Sequence, residues 1–165
     1  MVKVIGHASC DEAAVEHDPW VPMKATWLPR PSADLIYLRV SGTAGGEIEL
    51  KLDLHTGMLV SFIVLISPPS TQEFPDISGT GDIPSCSAPL IDRSYWVSES
   101  TAASSNLRHG SVADAEENLG MWTDQNSLRL FFTDHRSSSV LRCGPVWVGI
   151  SNDGELAEIG AELNS

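Results

Sequence analysis

Residues 47–66 read EIELKLDLHTGMLVSFIVLI, and this stretch constrains the fold more than any other. Ile48, Leu50, Leu52 and Leu54 alternate with Glu47, Glu49, Lys51 and Asp53. A strand points alternate side chains to opposite faces, so 47–54 has one dry face and one wet face. His55-Thr56-Gly57 breaks the alternation, and a glycine there can supply the positive φ of a tight turn. Residues 58–66 are apolar on both faces, as in a strand buried on both sides. The stretch therefore predicts a β-hairpin.

Its flanks extend the pattern. LIYLRVS at 35–41 is a strand and GTAGG at 42–46 a turn, which makes 35–66 a three-stranded antiparallel meander. SLRLFFT at 127–133 is a strand, followed by the polar loop DHRSSS. VLRCGPVWVGIS at 140–151 reads as one strand bent at Gly144-Pro145, and Asn152-Asp153-Gly154 is a hairpin turn. ELAEIGAEL at 155–163 then closes a second meander over 127–163. Leu54–Leu59 lines up with Ser151–Leu156, so an internal duplication of the meander is one reading.

The rest of the chain is less regular. A short strand is expected over 1–6. Ser9 and Glu12 have the spacing of a capping box, predicting a helix over 10–17 that stops at Asp18-Pro19. Pro19, Pro22, Pro29 and Pro31 predict an irregular or edge segment over 20–32, anchored by Trp20 and Trp27. Residues 67–106 are rich in Ser, Pro, Gly and Thr, loops that long tend to be functional or mobile, and they open an acidic irregular segment over 67–126. Within it, Ser111 and Asp114 offer caps for one short helix over 112–119 ending at Gly120. The expected fold is a single mostly β or α+β domain spanning 1–165.

Charge narrows the function. The 165 residues carry a formal net charge of −12, which argues against a nucleic-acid or anionic-membrane ligand. Residues 69–126 hold nine acids against Arg93 and Arg108. The irregular middle is therefore also acidic, either a solvated face or a contact surface for a basic protein. Asp76, Asp82, Asp92, Asp114, Glu116 and Glu117, with the flanking Trp96 and Trp122, are the candidate partner-binding residues. The start MVKVIGHASCDEA lacks an apolar core, so no secretory signal is expected there. Cys10, Cys86 and Cys143 show no CxxC spacing and fit reduced thiols in a cytoplasm.

Catalytic and metal chemistry find little support. His7, Cys10 and His17 are metal-ligand types at a spacing that matches no zinc signature, so no metal or cofactor is expected. Asp134-His135 reads as a turn rather than an acid–base pair. No Gly-x-Ser-x-Gly elbow is present, and Gly79-Thr80-Gly81 lacks a Walker lysine.

The runs ELKLDLHTGMLVSFIVL, PLIDRSYW (89–96) and VWVGISNDGELAEIGAEL, with the acidic balance, resemble immunity proteins of bacterial polymorphic-toxin systems. That resemblance implies a small, acidic, cytoplasmic protein that binds one cognate toxin domain and blocks its active site or substrate groove. Such proteins share neither catalytic residues nor one fold. The expected function is thus a non-catalytic binder of a basic toxin. The alternative is a small enzyme or ligand-binding β domain with a pocket between its sheets.

Overall fold

The computed structural model of the protein describes residues 1–72, 86–97 and 107–163. Among them the N-terminal half forms β1 (Val4–Ser9), β2 (Glu12–Glu16), β3 (Lys24–Leu28), β4 (Leu35–Gly42), β5 (Glu47–Asp53) and β6 (Leu59–Ile66). The remainder forms β7 (Ser87–Ile91), a 3-10 turn (Ser94–Trp96), β8 (Val112–Glu117), β9 (Gly120–Thr123), β10 (Ser127–Phe131), β11 (Ser139–Cys143), β12 (Val146–Ile150) and β13 (Leu156–Glu162). The protein is mostly β.

The meander expected over 35–66 is present: β4, β5 and β6 pair antiparallel in sequence order. It is the middle of a six-stranded sheet ordered β2-β3-β6-β5-β4-β8. A five-stranded sheet is ordered β11-β12-β13-β10-β9. Ile36, Leu38, Ile48, Leu50, Phe62 and Val64 from the first sheet and Leu130, Leu141, Val146, Val148 and Ile159 from the second share one core. The two sheets thus form a β-sandwich, in which each inner face is dry. The β1–β7 ribbon closes one end: Ile91 N donates to Gly57 O and Val4 N to Gly154 O, so it ties down a turn of each sheet. Gly57 (φ 77°) and Gly154 (φ 73°) adopt the left-handed backbone expected of both turns.

Several expectations are corrected. Residues 10–17 form no helix; β2 alternates exposed Glu12, Ala14 and Glu16 with buried Ala13 and half-buried Val15, a strand period that pairing with β3 reads out. Residues 20–32 hold β3 in the sheet interior, because the four prolines all fall outside Lys24–Leu28. Trp27 is fully buried against Phe62, whereas Trp20 is 90% exposed and anchors nothing. Residues 112–119 form no helix either: β8 lies parallel to β4, from Tyr37 opposite Val112 to Gly42 opposite Glu117. The only helical turn among the described residues is the 3-10 turn at Ser94–Trp96, and the segment 67–126 carries strands β7, β8 and β9. Lastly, 140–151 is a hairpin and not one bent strand. Gly144 has φ 55°, the sign that a two-residue II′-type turn needs at its first central position, and β11 and β12 pair across it. The second sheet is therefore a β11-β12-β13 meander with β10 added beside β13, a different order from the first meander.

Candidate functional site

β8 is an outer strand of the six-stranded sheet, and among the described residues only β4 pairs with it. Its alternation sends Ala113 and Glu117 inward and leaves Val112, Asp114 and Glu116 exposed. One cross-strand row runs over the whole outer face in register: Glu16, Lys24, Ile63, Glu49, Arg39 and Asp114. Lys24 meets Glu16 at 2.5 Å and Arg39 meets Glu49 at 3.7 Å, so most of this face is internally neutralised. Asp114 shares Arg39 with Glu49 as a lateral neighbour, and Glu116 lies beside uncharged Ser41. The acidic surplus therefore collects at the β8 edge.

The 3-10 turn braces that edge. Asp92 accepts hydrogen bonds from Ser94 N (3.1 Å) and Ser94 Oγ (3.0 Å), which fixes the start of the turn. Tyr95 and Trp96 sit edge to face with centroids 6.5 Å apart. Trp96 Nε1 donates to Ser111 O (3.3 Å), which also accepts Tyr37 N (2.9 Å), so Trp96 locks the entrance of β8 to β4. Burial, reinforced by the negative charges of Glu117 and Asp92, pushes the Tyr95 phenol up to about 12, and it stays neutral at physiological pH.

The candidate residues thus divide. Asp114 and Glu116 share the outer face of β8, whereas Asp92 and Trp96 belong to the 3-10 turn that Trp96 ties to the start of that strand. Glu117 is buried, and its Oε1 accepts Val2 N at 2.7 Å. Trp122 lies half-buried on β9 of the five-stranded sheet, paired across to Arg129 of β10. Asp76 and Asp82 lie outside the described residues.

Two further polar places exist. A cleft of about 680 Å³ opens beside the β8–β9 turn, lined by Asn118, Thr133, Asp134 and Arg136 among others. Asn118 Nδ2 donates to both Asp134 oxygens at 3.0 Å. His135 turns away from Asp134, its Nδ1 lying 3.2 Å from Glu155, so Asp134 and His135 form no acid–base pair. The hydrogen bond from Lys3, with help from His135, holds the Glu155 carboxyl below the usual range. Among the described residues no group of three or more His, Cys, Asp or Glu side chains could hold a metal, and His7 and His17 are exposed while Cys10 is buried.

The second place is a buried polar cluster on the outer face of the five-stranded sheet. Glu158 accepts Arg129 Nη2 at 2.5 Å and Trp147 Nε1 at 2.7 Å, and all three residues are buried. Arg142 stacks over the Trp147 ring at 5.5 Å. The sequence signal for it is slight: an acid in a strand otherwise made of Leu, Ala, Ile and Gly.

No protein-family model matches the chain, and comparison with curated proteins returns no match.

Proposed function

We propose that this protein is a non-catalytic binder that receives a basic protein partner on the edge formed by β8 and the Ser94–Trp96 turn. The carrying observation is that Asp114 and Glu116 both face outward from a sheet-edge strand with no second partner strand among the described residues. An edge strand offers main-chain hydrogen bonds to an extended segment, and acids on it select a basic one. Acids also discourage pairing with another acidic edge, so they filter partners as well as attract them. A toxin domain neutralised in a bacterial cytoplasm is the partner we favour, in line with the resemblance to immunity proteins. Exposed charges at such a rim speed encounter and set orientation.

The test pairs the full chain with the product of a neighbouring gene, where that product is a basic protein. Reversing Asp114 and Glu116 to Lys should slow association about tenfold at low salt, since opposed charges steer encounter. The difference should shrink as salt rises, because screening acts over about 8 Å at physiological ionic strength. Circular dichroism establishes first that the variant is folded. A folded variant that associates at the wild-type rate at low salt would remove β8 from the contact surface.

A second reading rests on the cleft at 118–120 and 131–136, whose volume lies in the range of small-molecule sites. Under that reading Asp134→Ala changes ligand-induced melting shifts, while the β8 reversal leaves them unchanged.

A further inference from the structure

The three cysteines, at positions 10, 86 and 143, come together in space. The β1–β7 ladder runs from Val4 opposite Ile91 to Ser9 opposite Ser87, so the next step sets Cys10 against Cys86. Cys10 N donates to Cys86 O at 3.1 Å, which confirms that step. Cys143 ends β11, and its Sγ lies 2.8 Å from Cys10 Sγ. Cys86 lies near enough to Cys143 to help push its thiol up, after burial and Cys10.

The geometry favours sulfur–sulfur bonding over metal binding. Two thiolates on one tetrahedral metal, each about 2.3 Å from it, stand about 3.8 Å apart, well beyond the observed contact. The thiols also differ in access: Cys10 and Cys143 are buried (6% and 1% exposed), whereas Cys86 is only partly buried. Burial pushes the Cys10 and Cys143 thiols up, so they are poor first nucleophiles. Cys86 holds a left-handed backbone, φ 64°, and is the one non-glycine residue to do so among those described. Strain of this kind persists where surrounding structure enforces it and is common at functional positions.

We propose that Cys86, Cys143 and Cys10 form a thiol–disulfide exchange site that reacts with a low-molecular-weight disulfide at Cys86 and keeps the product as a Cys10–Cys143 disulfide. The Cys86 thiolate attacks the small disulfide RSSR, forms a mixed disulfide and releases RS⁻, which takes up the proton Cys86 gave to solvent. Cys143 then loses its proton and attacks Cys86 Sγ, releasing a second thiol RSH and leaving a Cys86–Cys143 bond. Cys10 loses its proton and attacks Cys143 Sγ, and Cys86 leaves as thiolate and is reprotonated. In sum, two protein thiols are oxidised to one disulfide and RSSR is reduced to two RSH. This site is independent of the acidic edge.

The full-length reduced protein is incubated with oxidised glutathione under native conditions, acid-quenched at intervals, alkylated in denaturant and mapped by non-reducing mass spectrometry. A glutathione adduct on Cys86 should appear first and decay as a peptide joining Cys10 to Cys143 accumulates, with Cys86 free at the end. Cys86→Ser should form the same bond at least about tenfold more slowly, because the remaining thiols are buried. Cys86→Gly, which suits the left-handed backbone, repeats that comparison if the serine variant is misfolded. The proposal is overturned if glutathione stays on Cys86 while Cys10 and Cys143 remain alkylatable. It is also overturned if the Cys10–Cys143 bond forms with no Cys86 adduct and at the same rate in the Cys86 variants.

Discussion

Asp53 shows how one residue escapes a pattern. The alternation of 47–54 places it on the wet face, yet it is fully buried. The β5–β6 register shifts between Lys51 and Leu52, so the end of β5 departs from strict alternation. The carboxylate then works inside the turn: Oδ1 accepts His55 N (3.1 Å), Thr56 N and Thr56 Oγ1 (both 2.7 Å), and Oδ2 accepts Ser32 Oγ (2.5 Å). Burial pushes this carboxyl up, but the hydrogen bonds from Ser32, Thr56 and His55 together outweigh it and hold it below the usual range. A lowered folded pKa stabilises the protein above the unfolded value of about 3.9, and that contribution is lost as pH falls through the folded pKa. Asp53→Asn should therefore cost about 1.5–3 kcal/mol at pH 7, with the gap to wild type closing below about pH 4. Urea unfolding at both pH values reads this, and a gap independent of pH would contradict it. Gly160 is the second decisive residue. A Cβ there would lie 2.2 Å from the Trp147 ring, so the indole crosses the sheet only because this position is bare. Gly160→Ala should destabilise by about 1–3 kcal/mol and alter Trp fluorescence; an unchanged melt would mean the ring can move aside.

Among the elements, those with a strong period-2 pattern or a continuous apolar run were legible: β4, β5 and β6 lie within a few residues of the sequence reading, and 155–163 holds the strand β13 at the centre of the second sheet. Leu52 is fully buried where the hairpin's dry face puts it, and Leu52→Ala should cost about 2–5 kcal/mol in chemical denaturation. Stability equal to wild type would show that the face is wrongly assigned. β2 and β8 were not legible. Both are short, and Ala, Glu and an apparent N-cap outweighed a two-residue period that was nonetheless there. An isolated helix of this length is marginal in water, so the decision falls to tertiary pairing. For β8 the partner is β4, far back in the chain and parallel to it, a contact no local pattern encodes. The candidate edge was legible as acidic composition but not as a strand, which is why Glu117, read as part of an acidic surface, proves to face inward.

At the scale of the molecule, the sandwich brings together what the sequence keeps apart. The thiols meet only because the β1–β7 ribbon crosses the end of the core beside β11, and their spacing carries no trace of it. The acidic edge likewise exists because β8 adds to the N-terminal sheet while its successor β9 joins the other. We propose that this edge receives the partner. Amide hydrogen exchange, compared between the free protein and its complex with a basic partner found by that test, locates the contact without altering any residue. Slowed exchange is expected over Val112–Glu117 and the Ser94–Trp96 turn, with β12 unchanged. Protection confined to the cleft residues 118–120 and 131–136, with β8 exchanging as in the free protein, would contradict it.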